Sequence, residues 1–265
     1  MVEPLLINAG ILLATVLVLW AISVKIGDVS FIDSFWGAGM ALMALASWLQ
    51  LEEPGTLAHL LLAMTAAWGL RLGIYLLRRW RAEGEDKRYE RMLRKDREKG
   101  RFAFAALTKI WLGQAVLLFL VSSPAQAGIL SSGEAQGIGA LTVAGIALYL
   151  VGIFFEWVGD WQLSQFKSDP ANKGEVMDKG LWRYTRHPNY FGDACAWWGI
   201  WLVVASVSWG VAAWTVAGPI FLTFTLVKWS GAALLEKGMK HSRPGYEAYK
   251  RRTSAFIPMP PRKSA

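Results

Sequence analysis

Apolar runs of 17 to 22 residues alternate along the chain with short, strongly basic stretches, the pattern of helices that cross a bilayer repeatedly. The runs predict seven spanning helices, over residues 5–24, 35–51, 56–77, 102–122, 138–158, 191–207 and 210–228. No basic segment precedes the first run, so it is expected to be an anchor rather than a cleaved signal. The stretch 78–101 breaks the apolar pattern. Its Glu, Lys and Arg residues recur at helical spacing, which predicts a polar helix facing solvent or lipid headgroups. The segment 123–137 is small and polar and is expected to be a flexible connection.

Charge orients the bundle. Of the 28 Lys and Arg residues, 26 are Lys25 or lie in 78–101, 160–190 and 228–265, and the intervening loops 52–55, 123–137 and 208–209 hold none. Basic loops stay in the cytosol, so the N-terminus is expected outside and the C-terminus inside. The expected protein is an all-α, polytopic, single membrane domain over 1–265, in what would be a bacterial inner membrane. Composition narrows the chemistry. With only 18% charged residues and a net charge of +8, the basic balance follows from topology and gives no support to nucleic-acid binding. One cysteine, Cys195, and three scattered histidines, His59, His187 and His241, argue against disulfides or a metal centre. No glycine-rich nucleotide loop of the soluble folds is present. Trp20, Trp36, Trp80, Trp182 and Trp229 fall near helix ends and are expected to form an interfacial belt.

Charged residues inside a spanning helix cost about 2.5–3.5 kcal/mol each and mark function by default. Here they are Asp33, Arg71, Lys109, Glu156 and Asp193. Each lies within about two turns of the basic side, although the helices alternate in direction. That predicts a polar cavity open to the cytosol and closed outside by apolar helix halves. Arg71 and Tyr75 share one helix face, and Glu156, Asp160, Ser164 and Lys167 line another. The second stripe carries both signs of charge and suits ribose and phosphate groups, or plain ion pairing.

The most specific string is Gly180–Asp193, GLWRYTRHPNYFGD. Its guanidinium groups suit phosphates, its Asn and Asp suit ribose or amide groups, and its rings can stack on a heterocycle. Arg186-His187-Pro188-Asn189-Tyr190-Phe191-Gly192-Asp193 closely resembles the R-H-P-N-Y-x-G-D string of membrane sterol reductases. The stretch from Gly159 to Trp197 and the ending from Tyr246 to Pro258 resemble the steroid 5α-reductase family, particularly its bacterial branch of unassigned function. The resemblance implies a seven-helix reductase that binds NADPH on its cytosolic side and delivers hydride to an enone-like C=C bond of a steroid or other lipid. Residues 138–260 would form the cofactor half and 1–101 the substrate side. Carried over, the cofactor contacts are Arg71, Arg79, Asp160, Lys167, Tyr184, Arg186, His187, Asn189, Asp193, Trp197 and Lys228. Trp36 and Trp68 fall on the substrate side.

Departures from the family bear on the acid half of the reaction. The Gln-Glu pair that polarises the steroid ketone is replaced by Asp33 with no preceding Gln, and the substrate tyrosine by Trp68. Asp33 is the expected acid or polariser, with Tyr75 as the alternative. Ala232 and Glu236 replace a family His and Tyr. Isoprenylcysteine and phospholipid methyltransferases carry a related R-H-P-x-Y-x-G string and a Glu near the tail, much like Leu235-Glu236. S-adenosylmethionine-dependent methyl transfer is therefore the rival expectation, and a non-catalytic lipid-binding relative a third.

Overall fold

The computed structural model describes residues 1–133, 137–229, 236 and 243–262. The described residues are helical, apart from connecting turns and a single isolated bridge between Thr185 and Ser254. In chain order the helices are α1 (Val2–Ile26), α2 (Ile32–Trp48), α3 (Thr56–Glu83), α4 (Lys87–Glu98), α5 (Phe102–Val121), α6 (Ser123–Leu130), α7 (Ala140–Ser168), α8 (Pro188–Val207), α9 (Trp209–Lys228) and α10 (Tyr246–Arg252). Six of them, α1, α3, α5, α7, α8 and α9, are long and apolar enough to cross a membrane. The remaining predicted span, 35–51, is α2, a shorter helix of 17 residues. Helices α3 and α7 outrun their predicted ends, with 28 and 29 residues, because each continues into polar residues that still suit a helix.

The chain folds as two compact units: Met1–Gly139 with Val203–Gly218, and Ala140–Leu202 with Pro219–Ala265. Backbone-to-backbone glycine contacts organise each of them. In the first unit, a Cβ added at Gly37 of α2 would collide with the Gly69 carbonyl of α3, and one at Gly69 with the Gly37 carbonyl. In the second, Gly145, Gly152 and Gly159 recur every seven residues on α7 and meet, in turn, Gly199, Gly192 and the Pro188–Asn189 start of α8. A Cβ at Gly192 would lie 2.5 Å from the Glu156 nitrogen, and one at Gly199 2.6 Å from the Gly145 carbonyl. Small residues let spanning helices approach until their backbones touch, and dispersion then supplies the attraction that lipid exclusion does not.

The segment 123–137 departs from expectation. Its first eight residues form α6, and Ser123 to Ile129 are buried. Small side chains let it pack among helices: Gly128 sits so close to Val204 that an added Cβ would come within 2.5 Å of Val204 Cγ2. Polar bonds hold its ends. Asn8, itself fully buried, donates through Nδ2 to Ser47 Oγ at 2.7 Å and to Gln126 Oε1 at 2.9 Å. Gln126 donates onward to Ser122 Oγ at 2.8 Å. A polar composition thus marks a short buried helix here, since buried amides persist where partners satisfy them.

The 78–101 stretch is partly as expected. Gly84 and Gly100, both at positive φ (76° and 66°), turn the chain on either side of α4, a conformation that side chains with a Cβ resist. Asp86 caps α4, accepting from the Arg88 amide at 2.7 Å. Burial alone would raise the Asp86 carboxyl, but the Arg88 hydrogen bonds outweigh it and hold the group below the usual carboxylate range. Asp86→Ala is expected to cost about 1 kcal/mol. Because the folded pKa is lowered, this contribution is present above pH ~4 and lost as pH falls through the folded value. Melting curves of wild type and variant should therefore converge on acidification below that pH.

The tryptophans expected near helix ends have protein partners. Trp20 donates to the Ala103 carbonyl, Trp36 to Gln114, Trp80 to Asp28 and Trp182 to the Gly159 carbonyl. Their indole N–H groups are held by protein acceptors, and among the described residues the most exposed tryptophan rings are Trp157, Trp161, Trp209 and Trp214. The side chain of Trp229 lies outside the described residues.

Candidate functional site

In the first unit, α2, α3 and α4 surround a cavity of about 370 Å³, lined by Ser30, Asp33, Arg79, Trp80 and Asp86 among others. Asp33 stands in the first turn of α2. It accepts from Arg88 Nη2 at 2.7 Å and from the Tyr89 hydroxyl at 2.6 Å. Arg88 also donates to Asp86 through Nε at 3.0 Å and Nη2 at 2.9 Å. One guanidinium thus ties two carboxylates together, and its own pKa is raised: desolvation opposes this, but the Asp86 hydrogen bond and the two carboxylate charges win. Tyr89 is buried, and burial together with the Asp33 charge pushes its hydroxyl well above the ordinary tyrosine value. Tyr89 therefore stays protonated and donates to Asp33. The wall is completed by Trp80, whose ring tilts against Phe31 at 5.5 Å.

Arg71, Tyr75 and Arg79 follow at four-residue steps on α3, one face of a helix. Arg79 lines the cavity, and the Arg71 guanidinium lies 5.2 Å from the centroid of the Tyr75 ring. The two expected substrate-side tryptophans have different settings. Trp36 borders a narrow apolar cleft with Val16, Phe35 and Leu118, its indole fixed 2.6 Å from Gln114 Oε1. Trp68 is only 2% exposed and belongs to the packed core. Lys109, expected inside the bilayer, reaches out to Asp96 of α4 at 2.6 Å. It sits in a π-helical segment, Ala106–Trp111, that interrupts α5, and no sequence signal marks that widening.

In the second unit, α7 and α8 bring Asp160 and Asn189 together: Asn189 Nδ2 donates to Asp160 Oδ1 at 3.0 Å. Pro188 begins α8, a position where its missing N–H costs nothing. Gln162 accepts from the Leu181 amide at 3.0 Å and anchors the turn ahead of it. Lys167 and Tyr184 are exposed near this end of α7 and α8, while Asp160, Asp193 and Trp197 are buried. Lys228 is exposed in a second π-helical segment, Thr225–Trp229.

Arg186 and His187 both meet a carboxylate, that of Glu236. Arg186 Nε lies 3.0 Å from Glu236 Oε1, and His187 Nε2 lies 3.0 Å from the same oxygen. Lys250 Nζ approaches the other carboxylate oxygen at 3.6 Å. Burial alone would raise the Glu236 carboxyl, but the His187 hydrogen bond and the Arg186, His187 and Lys250 charges hold it below the usual range. The His187 ring stacks on Tyr190, with centroids 5.4 Å apart. The backbone completes the clasp. The Arg186 amide donates to the Ser254 carbonyl at 3.0 Å, Thr185 Oγ1 to the Phe256 carbonyl at 2.7 Å and the Tyr249 hydroxyl to the Trp182 carbonyl at 2.6 Å. The first half of the R-H-P-N-Y string therefore fastens the C-terminal segment, and the second half faces α7.

Sequence reasoning missed Arg88, Tyr89 and Lys250 as site residues. The helical charge spacing of 78–101 gave α4, but which of its residues turn inward depends on the two flanking glycine turns. Glu236 was visible as a departure from the reductases and as a likeness to the methyltransferases, but not as the partner of Arg186 and His187. Ala232 and His241 lie outside the described residues.

The family model described as a protein of unknown function, DUF1295, matches residues 19–253. An uncharacterized protein of Schizosaccharomyces pombe is 24% identical over an alignment covering 94% of this chain and 78% of the yeast protein. No solved structure matches the chain. A match over most of the length, including both the α2–α4 cavity and the α7–α8 pair, makes this helical membrane protein a member of the DUF1295 family.

Proposed function

We propose that the protein is an NADPH-dependent membrane reductase that saturates an enone-like C=C bond of a steroid or other lipid. The observation that carries this reading is the Asn189–Asp160 hydrogen bond. It joins two residues, 29 positions apart, that the reductase resemblance assigns independently to the cofactor. The surrounding donor set fits a dinucleotide: Lys167 and Arg183 are exposed cations for phosphate, Asp160 and Asn189 suit ribose hydroxyls, and the Tyr184 ring, 43% exposed, is free to stack. When bound, NADPH supplies the hydride. The protein's own residues bind and orient the reactants and meet the charge that develops.

The α2–α4 cavity supports the acid side of this reading. A carbonyl conjugated to the reacting C=C gathers negative charge as hydride adds, and a proton must then reach the neighbouring carbon. Arg79 in the cavity wall is a fixed cation for that charge. Asp33 orients Tyr89 and Arg88, and acts as polariser through them rather than as a free acid. The proposed topology is seven spans with the N-terminus outside, α2 being the seventh. At about 26 Å it is short for a lone span, but nine of its residues are buried against other helices rather than exposed to lipid.

The Glu236 cluster favours a second reading. Its carboxylate meets the Arg-His pair directly, the combination seen in the sequence pattern of isoprenylcysteine and phospholipid methyltransferases. Thermal melting of the detergent-solubilised protein with NADPH, NADH or S-adenosylmethionine separates the two. A ligand present at 100 times its Kd stabilises by about 2.7 kcal/mol. We expect that shift with NADPH, and a much smaller one at the same concentration in Asn189→Ala. A shift with S-adenosylmethionine alone would replace reduction by methyl transfer.

A further inference from the structure

The outer face of α4 is the strongest charged surface that neither the cavity nor the α7–α8 pair uses. Arg88 is bound to Asp33 and Asp86, and Arg97 to Glu85 and, at 2.7 Å, to the Gly27 carbonyl. Asp96 is taken by Lys109. Tyr89 and Leu93 are buried beneath the helix. These contacts fix the rotation of α4, because they spend its inward residues on the protein. What remains exposed is Lys87, Arg91, Arg94 and Lys95, with Arg81 and Lys99 at the two ends, against Glu83, Glu90 and Glu98. Lys87 is followed by Arg91, then Arg94 and Lys95, at steps of three and four, so the four cations form one stripe. Arg91 is held down on the helix by its bond to the Lys87 carbonyl at 2.9 Å.

Topology decides what meets that stripe. Helix α4 is tethered at both ends to helices long and apolar enough to span, α3 and α5, with only short turns between them. Phe104, two residues into α5, is 70% exposed, and Met92 on α4 itself is 55% exposed, so apolar surface begins at the level of α4. A cationic helix tethered this closely to the ends of two spans would come within a Debye length, about 8 Å at physiological salt, of lipid phosphates. We propose that the outer face of α4 is a docking surface for the headgroups of anionic lipids, with Arg91, Arg94 and Lys95 as its core. Because the inner face of the same helix carries the Arg88 and Tyr89 bonds to Asp33, lipid occupancy also steadies one wall of the cavity. The proposal holds whatever reaction the protein performs.

The test is lipid retention by the full-length protein. It is equilibrated with mixed detergent micelles containing equal amounts of phosphatidylglycerol and phosphatidylcholine, washed, and its bound lipids counted by mass spectrometry. Each cation near the surface is worth about fivefold in anionic-lipid binding. Wild type is expected to be enriched in phosphatidylglycerol, and Arg91→Gln/Arg94→Gln/Lys95→Gln to lose about tenfold or more of that enrichment. Gln is nearly as good a helix former as Arg or Lys, and Arg91→Gln/Arg94→Gln is the smaller variant if the triple one does not fold. Lys173→Glu/Lys179→Glu, which changes exposed cations of the other unit, is expected to keep the enrichment. Undiminished enrichment in the α4 variants, or equal loss in the control, would overturn the proposal. So would displacement of the lipid by millimolar inorganic phosphate, which would assign the face to soluble anions, or by an acidic polypeptide, which would assign it to a protein.

Discussion

Gly192→Leu is expected to destabilise the protein by about 3 kcal/mol or more, the upper range for overpacking a close-packed interior. The obstacle is not a side chain that can swing away. An added Cβ at this position meets the Glu156 nitrogen and the Gly152 carbonyl, both at 2.5 Å, and the rest of the leucine has to go further. Relief requires α7 and α8 to separate. Separation would also pull Asn189 from Asp160, since Asn189 lies one turn before Gly192 on the same helix. The measurement is thermal melting in detergent beside Gly113→Leu, a change at a spanning position where nothing lies within 4 Å of an added Cβ. Gly113→Leu should melt near wild type. Leu is a better helix former than Gly, so equal losses from both would mean that added bulk anywhere on the spanning helices, not the α7–α8 crossing, sets the effect.

Asp33→Asn is expected to lower kcat about 100-fold while leaving NADPH affinity unchanged. The amide keeps the shape of the carboxylate but removes the charge that faces Arg88 at 2.7 Å and turns one acceptor into a donor. Tyr89, whose hydroxyl donates to Asp33 at 2.6 Å, then loses its orientation. Tyr89→Phe separates the roles: it removes the hydroxyl and leaves the Asp33–Arg88 pair standing. If Asp33→Asn alters only the melting point and kcat survives, the carboxylate is a strut for α4 and nothing more. Both variants keep Asp86 on Arg88, so α4 itself is expected to remain docked.

Much of this architecture could be read from the chain, and the exceptions have specific causes. Periodic apolar runs locate spans because a bilayer demands about 20 consecutive apolar residues, and the runs agree with α1, α3, α5, α7, α8 and α9 in position. The 123–130 segment misled because its small polar residues look like a loop, whereas Asn8, the distant partner of Gln126, lies far away in sequence. The seven-residue glycine spacing of α7 carried no signal by itself, because its meaning depends on the matching residues of α8. For the candidate site, the R-H-P-N-Y string draws attention to the turn into α8. It did not reveal that Arg186 and His187 turn toward Glu236 while Asn189 turns toward Asp160. The opposite orientations arise because the string straddles the turn into α8, so neighbours in sequence leave in different directions. The Asp33–Arg88–Tyr89 cluster depends on α4 folding back, which two glycines at positive φ make possible.

The central claim is hydride delivery to a lipid, and isotope transfer tests it most directly. Membranes carrying the protein would be supplied in parallel with NADPH deuterated at the transferable position and with S-adenosylmethionine bearing a deuterated methyl group, and their lipids examined by mass spectrometry. The account predicts a lipid that has lost one double bond and gained one deuterium from NADPH, absent from membranes carrying Asp33→Asn. Deuterated methyl groups in a lipid, with no label from NADPH, would contradict it.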